Sequence, residues 1–514
     1  MHSLDIHTFA AIYIGSYEVS LNIYEISYKK RIKKIDNIRY HIELGKEAFS
    51  KKRLGYEAVE ELCSKLSEFS KIIQGYKTDA YEIYASAVLR EVTNATFVLN
   101  QIFLRTGFSI KVINNSEHRF ISYKSVAGRA GFDRIIKGSA AVVDIGGSGT
   151  QVTLFRDGEL VTTQHIGLGT MKIRTLLDNR GNTYSSYCKQ VEEYIVKKLE
   201  TFTSLYECEV ENIVIMGDYA PEVIRRVDKN NREDKVVKTE KFVKYISKIQ
   251  KKTVEEISKE LNLANESDPF VLPAILLFKN LALSVKSKEV YVPGVNINDG
   301  IAYNYAEKNK LVKDTHDFDK DILSTAKELS KRYNSYSPHI DALCKLSVKI
   351  FDTMKKNHGL GKRERLLLQV AAILHDCGKY ISLANSPQCA YYIVMSSEIM
   401  GLSHLERKIV ALAILYNTYQ LNEFEYLSQK LDHDAYLVVA KLSAILRVAN
   451  ALDQSHKQKF SNIKISIKGR ELIIKLESFE DISLEQTLFD DKTEYFENVF
   501  SLKPILKEKR VYLE

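Results

Sequence analysis

Val142-Val143-Asp144-Ile145-Gly146-Gly147-Ser148-Gly149-Thr150-Gln151 is the stretch on which the fold turns. An apolar run, Ala140 to Ile145, ends beside a carboxylate and passes at once into glycines and hydroxyls. Glycine lets a backbone approach a phosphate closely. Ser148 and Thr150 add donors, and Asp144 can hold a divalent cation directly or through water. The same residues also fit a tight glycine hairpin with Asp144 facing solvent, and the stretch alone does not decide between the two.

Working outward, Gln151 to Phe155 alternates as a second strand, Arg156-Asp157-Gly158 makes a hairpin turn, and Glu159 to Gln164 is a third strand. Helices follow near Met171 to Leu177 and Tyr184 to Phe202, then a strand at Asn212 to Met216. The chain before this runs through the same order. Phe9 to Ile14 is a strand, Gly15-Ser16 a turn, and Val19 to Ile26 and Ile38 to Ile42 two more strands. A helix at Tyr56 to Ile73, a strand at Tyr81 to Tyr84, a helix at Asn94 to Leu104 and a strand at Ser109 to Ile113 complete the unit. A strand, glycine turn, strand, strand and helices, given twice, is the layout of two ribonuclease-H-like lobes of the actin-like ATPase superfamily. Each hairpin turn offers N–H groups to a phosphate.

Six segments in order resemble the exopolyphosphatase/guanosine pentaphosphate phosphohydrolase (Ppx/GppA) family. Asp144 to Gln151 is similar to its Asp-Ile-Gly-Gly-Gly-Ser-Thr-Glu loop, and Ala10 to Ser16 to its first loop. Ala85 to Arg90 resembles its Ala-Thr-Ser-Ala-Leu-Arg segment, and Ile113 to Arg119 its Ile-Ser-Gly-x-Glu-Glu-Ala segment. Leu366 to Tyr380, with His375-Asp376, and Leu446 to His456 resemble its HD-like helical domain. The resemblance implies release of terminal phosphate from inorganic polyphosphate, or of the 5′ phosphate from guanosine pentaphosphate, with Mg2+. By position, Glu117 would orient or deprotonate the attacking water. Asp144 would sit at the metal, Arg90 would pair with a phosphate, and Gly146, Gly147, Ser148, Gly149 and Thr150 would cradle it. Bland roles exist too: Glu117 as a helix cap and Arg90 as a surface ion pair.

The departures matter equally. Tyr13 stands where the family's first loop has Asp, and Tyr17 and Glu18 replace its Asn and Ser. A carboxylate in a phosphate loop repels the ligand by about 1 kcal/mol or more. Gln151 replaces a Glu and cannot act as a base. His118 replaces the second Glu of the central motif, and Gly217-Asp218-Tyr219 a Gly-Gly-Thr turn. Two readings follow: a hydrolase working in the lobe cleft, or a catalytically degenerate regulatory protein that binds polyphosphate or a nucleotide.

The chain past 310 is helical to Asn450, for example at Ile340 to Lys355, Arg363 to His375, Ser403 to Tyr416 and Asp434 to Leu452. Metal-dependent HD phosphohydrolases use His…His-Asp…Asp. This chain offers His339 and His375-Asp376, but Asn450 where the last Asp would fall, with Asp453 a turn later. The stretch Ser382 to Tyr392 carries no histidine. A structural helical domain without metal is therefore expected, rather than an HD phosphohydrolase with the lobes as sensor. The tail reads as strands at Ile463 to Ile467, Leu472 to Leu476 and Arg510 to Leu513 around a helix at Thr493 to Phe500. The expected domains are lobe I at 1–127, lobe II at 128–312, the HD-like domain at 313–456 and a small α+β domain at 457–514.

Bulk properties fit this outline. At 514 residues the chain exceeds one ordinary core. Its 45% hydrophobic and 27% charged residues are a globular balance, and no apolar run is long enough for a bilayer. Met1 to Ala10 lacks the features of a signal peptide, so a cytoplasmic protein with no membrane partner is expected. Six scattered cysteines form no CxxC pair. The net charge of +8 favours polyanions. The basic run Arg225 to Lys252 fits a solvated helix face or a ligand path. Whether the chain is a homodimer stays open.

Overall fold

The computed structural model describes residues 6–28, 31–129, 131–177, 184–206, 209–228, 236–263, 268–313, 315–428, 431–478 and 480–510. Lys229, Arg232 and Lys235 of the basic run, Cys208, and 511–513 of the expected last strand lie outside them. The chain divides into two compact units, Met1–Asp317 and Phe318–Glu514.

The first unit holds two sheets. Strands β1 (Ile6–Ile14), β2 (Glu18–Ser27), β3 (Arg31–His41), β4 (Ala80–Ala85) and β5 (Lys111–Val112) are ordered β3-β2-β1-β4-β5. The first three are antiparallel, and β4 runs parallel to β1. Strand β1 is apolar on both faces because both are covered. Ala10, Ile12 and Ile14 enter one core with Leu62, Leu66 and Phe69, while Phe9 and Ala11 enter another with Ile121 and Ile301. β3 is longer than its apolar core suggests. It is an edge strand whose Arg31, Lys33 and Arg39 hide the alternation, and edges are commonly charged.

The second sheet repeats the plan with β6 (Ser139–Ile145), β7 (Thr150–Arg156), β8 (Glu159–Ile166), β9 (Asn212–Met216), β10 (Val236–Lys238) and β11 (Glu289–Tyr291). Its order is β10-β11-β9-β6-β7-β8, so one strand is added at the edge. β6 and β7 form the second antiparallel hairpin and β9 lies parallel to β6. The apolar helix Val271–Ser284 is buried over most of its length and packs in this lobe's core, which is why it lacks an amphipathic stripe. Within the described part of the basic run, Lys241, Lys244 and Lys248 lie on the helix Thr239–Ile249, exposed opposite buried Phe242, Ile246 and Ile249. That is the solvated-face arrangement.

The packing does not divide at the sequence boundary of the lobes. Helix Ile297–Lys308 follows the second sheet in the chain but covers the first, against helix Asn115–Ala127 and β1. Gly300 permits that crossing: a Cβ there would stand 1.9 Å from the Ile121 carbonyl oxygen. Because the clash is with backbone, Gly300→Ala is expected to destabilise the first unit by about 3 kcal/mol. Denaturant unfolding of the whole chain, followed by intrinsic tyrosine fluorescence, checks this.

The second unit contains helices Phe318–Arg332, Ser337–Thr353, Lys362–Leu374, Ser386–Ser396, His404–Tyr416 and His433–Ala451. They are followed by β12 (Phe460–Lys468), β13 (Glu471–Ser478), helix Ser483–Phe500 and β14 (Lys503–Arg510), with sheet order β12-β13-β14. Leu472, Ile474, Phe489 and Phe496 share one core with Ile350, Leu442 and Ile445. The expected small C-terminal α+β domain is present, and its core is continuous with that of the helices. Its last strand lies earlier than expected, because Lys503–Arg510 is an edge strand too rich in lysine to read as one. Among the described residues no helix is long and apolar enough to cross a membrane.

Candidate active site

The two hairpins bring their turns to a common cleft of about 480 Å³ within the first unit. Strand β1 ends at Tyr13-Ile14, and Gly15 N donates to the Glu18 carbonyl at 2.8 Å to turn the chain into β2. Strand β6 ends at Asp144-Ile145, and Gly146 N donates to the Gly149 carbonyl at 2.9 Å. The cleft is lined by Tyr13, Glu18, Arg39, Arg90, His118 and Asp144 together with Gly146, Gly147, Ser148 and Asp218. Arg90, Asp144, Gly146, Gly147 and Ser148, named from the sequence, all line this cleft.

Three expected residues do not line the cleft. Glu117 is turned into its own helix end: Asn114 N donates to Glu117 Oε2 at 3.0 Å, and Glu117 N to Asn114 Oδ1 at 2.9 Å. This capping box, with a Lys111 ion pair at 3.3 Å, corrects the placement of Glu117 at an attacking water. Thr150 is buried, and its hydroxyl donates to the Leu168 carbonyl at 2.5 Å. Gly149 is a glycine for packing, since a Cβ would meet the His165 ring at 2.3 Å. The Gly146 and Gly147 carbonyls accept bonds from the amides of Thr170, Met171 and Lys172, which brace the loop from behind.

What lies in the cleft is a set of carboxylates with partial compensation. Asp144 accepts a hydrogen bond from Ser122 Oγ at 2.5 Å. Burial and, more weakly, repulsion from Asp218 hold its pKa above the usual carboxylate value. Glu18 is raised from 4.5 to about 7, chiefly by burial and then by Asp218, with Arg39 opposing. Arg39 Nη1 stands 3.3 Å from Asp218 and 3.7 Å from Glu18. His118 is lowered to about 4 by burial and by the neighbouring cations Arg119 and Arg90. Its ring centroid is 5.7 Å from that of Tyr13. Arg90 is anchored at 2.9 Å to the Ile113 carbonyl and at 2.8 Å to Asn115 Oδ1, which aims it along the cleft wall.

Arg39, Asp218 and His118 are cleft residues that sequence reasoning assigned no role, and Glu18 was read only as a hindrance. Arg39 carries no motif, being one of several cations on an edge strand. Asp218 follows Gly217 and precedes Tyr219, whose φ of 71° is left-handed. A non-glycine residue there is strained, and the hydrogen bond from Tyr219 Oη to Asp268 at 2.7 Å helps hold the turn. That turn replaces the expected glycine pair, and it was the available signal.

Two lobes of this topology, facing across a cleft with a glycine turn at the end of each first strand and a carboxylate, Asp144, at the end of one, define an actin-like phosphate-handling protein. The profile of the Ppx/GppA phosphatase family matches residues 23–309, and that of domain III of the Ppx/GppA phosphatases matches 323–494. The chain belongs to the Ppx/GppA phosphatase family. It is 24% identical over 409 residues to a guanosine-5′-triphosphate,3′-diphosphate pyrophosphatase of Aeromonas hydrophila, covering 77% of this chain and 78% of that protein. Its fold is similar to that of a Ppx/GppA family member of Aquifex aeolicus, with a TM-score of 0.51 and 20% identity over 59% of this chain and 99% of that one. It is also similar to an exopolyphosphatase of Cytophaga hutchinsonii, with a TM-score of 0.52 and 15% identity over 60% of this chain and 99% of that one.

Proposed function

We propose that this chain hydrolyses terminal phosphoanhydride bonds, of inorganic polyphosphate or of guanosine pentaphosphate, in the cleft between its two lobes. The observation that carries this reading is the convergence there of Asp144, Glu18 and Asp218 with Arg39, Arg90 and the Gly146–Ser148 loop. Family membership and the pyrophosphatase activity named for the Aeromonas relative support it.

Magnesium fits the donor set. The carboxylates are hard oxygen ligands, and Asp144 and Glu18 are raised chiefly by burial and further by the Asp218 charge, both of which a bound cation would oppose. Asp144 and Asp218 are the residues we assign to hold it, and when bound it would neutralise phosphoryl oxygens. Arg90, with its fork fixed by Ile113 and Asn115, would bind a phosphate. The Gly146–Ser148 loop would hold the terminal group close to backbone. Glu18 would take the proton of the attacking water, because a base poised near 7 suits neutral pH, whereas His118 at about 4 is too weak and Glu117 is committed to its cap.

A second reading, a regulatory protein that binds polyphosphate or nucleotide without turnover, is favoured by Tyr13 and His118 in the cleft wall where the family has carboxylates. Orthophosphate release from each substrate, with and without Mg2+, separates the readings. Magnesium-dependent release from either supports hydrolysis. Salt-sensitive binding without release supports the second reading, and neither binding nor release refutes both.

A further inference from the structure

The second unit holds a cluster that its expected structural role leaves unexplained. His339, His375 and Asp376 are buried and offer one ligand atom each within 4.8 Å of one another. Hydrogen bonding fixes both rings. Asp453 Oδ2 lies 2.7 Å from His339 Nδ1, and as a carboxylate oxygen it only accepts. The Ala372 carbonyl oxygen lies 2.8 Å from His375 Nδ1 and also only accepts. Each Nδ1 therefore carries a hydrogen, which leaves Nε2 as the atom of each ring that faces the other.

Those two Nε2 atoms are 3.2 Å apart. Asp376 Oδ1, a third acceptor, is 3.1 Å from His375 Nε2. Three acceptors converge there with no hydrogen between them unless a proton is added, and a bound cation would satisfy all three at once. Two nitrogens each about 2.1 Å from a metal, at roughly tetrahedral to right angles, stand about 3.0–3.4 Å apart. We propose that His339, His375 and Asp376 bind one divalent transition-metal ion. The mixed nitrogen and oxygen donors suit zinc, manganese or iron.

Asp453 acts as a positioning residue. Gln458 N donates to its Oδ1 at 2.8 Å and Gln458 Nε2 to its Oδ2 at 3.0 Å, so its oxygens are occupied in aiming His339. The sequence expectation of a metal-free domain rested on the absence of histidine from Ser382 to Tyr392 and on Asn450 in a ligand's place. The ring it would have served is held instead by Asp453, one turn later. Asp376 keeps its other oxygen on Lys379 at 2.6 Å. Asp376, Lys379 and His456, the last stacked on His339 at 3.7 Å, line an adjoining cavity of about 220 Å³ with Tyr336 and Tyr380. That cavity leaves the ion an open face.

The test is metal analysis of the full-length protein, incubated with Mn2+, Zn2+ or Fe2+ and passed over chelating resin. Wild type is expected to retain about one ion per chain, and so is Asp144→Asn, which alters only the cleft of the first unit. His339→Gln and His375→Gln are expected to lose it, and Asp453→Asn to bind about 10- to 100-fold more weakly. Co2+ titration gives a second readout, a visible absorption band in wild type that shifts in Asp453→Asn. Folded wild type, by circular dichroism, that retains none of the three ions would show that a shared proton alone joins the histidines and would overturn the proposal. Retention of the ion in both histidine variants would do the same.

Discussion

Glu18→Gln is expected to lower kcat for orthophosphate release about a hundredfold, the usual worth of a positioned base. The pH profile identifies the role. Wild-type kcat should rise through about pH 7, where the Glu18 carboxyl ionises, and that acidic limb should vanish in the variant. Stability moves the other way. Because folding raises this carboxyl from 4.5 to about 7, its contribution is complete below pH 4.5 and is lost as pH rises through 7. Glutamine cannot ionise, so at pH 8 the variant should be the more stable protein, by on the order of 1 kcal/mol given that water reaches the open cleft. Equal stability at pH 8 together with unchanged kcat would remove Glu18 from the mechanism.

Tyr13→Asp is expected to reduce the Mg2+ concentration for half-maximal rate about tenfold, by placing a further hard oxygen ligand beside Asp144. Tyr13 lines the cleft and feels the Asp144 charge. Adding Gln151→Glu follows from the family pattern but not from this structure. Gln151 is buried, with its amide bonded to Thr163 Oγ1, and does not line the cleft. A carboxylate there would be desolvated, so the double variant should melt lower than Tyr13→Asp, with a loss of about 1–3 kcal/mol. Thermal melts and Mg2+ titrations of the two variants side by side check this. A double variant as stable as the single one, with still higher Mg2+ affinity, would contradict it.

The architecture was legible because it rests on local signals. Apolar strands ending in glycine turns recur at Ile14-Gly15 and Ile145-Gly146, and long helices carry clear stripes. Edge strands were less so. The lysines of β3 and β14 answer to solvent rather than to a core, and they mask the period of two. The site was legible only where a residue's position in the chain equals its position in space. Asp144 and the loop behind it could be read that way. Glu117 and His118 are neighbours in sequence, but a helix points successive side chains about 100° apart, so one caps while the other faces the cleft. Arg39 reaches Glu18 through the pairing of β2 with β3, and Asp218 reaches it from the other lobe across the cleft. The link from His339 to Asp453 spans 114 residues, so spacing alone directed attention to Asn450.

The most direct test of the central claim compares wild type with Asp144→Asn. Orthophosphate release from long-chain polyphosphate is followed with saturating Mg2+, and polyphosphate binding is measured in parallel. With catalysis in the lobe cleft, the variant should lose at least about a hundredfold in rate while binding polyphosphate within a few-fold of wild type, because the Gly146–Ser148 loop and Arg90 remain. Release that persists within about threefold of wild type, with Asp144 gone, would place the chemistry elsewhere and contradict the account.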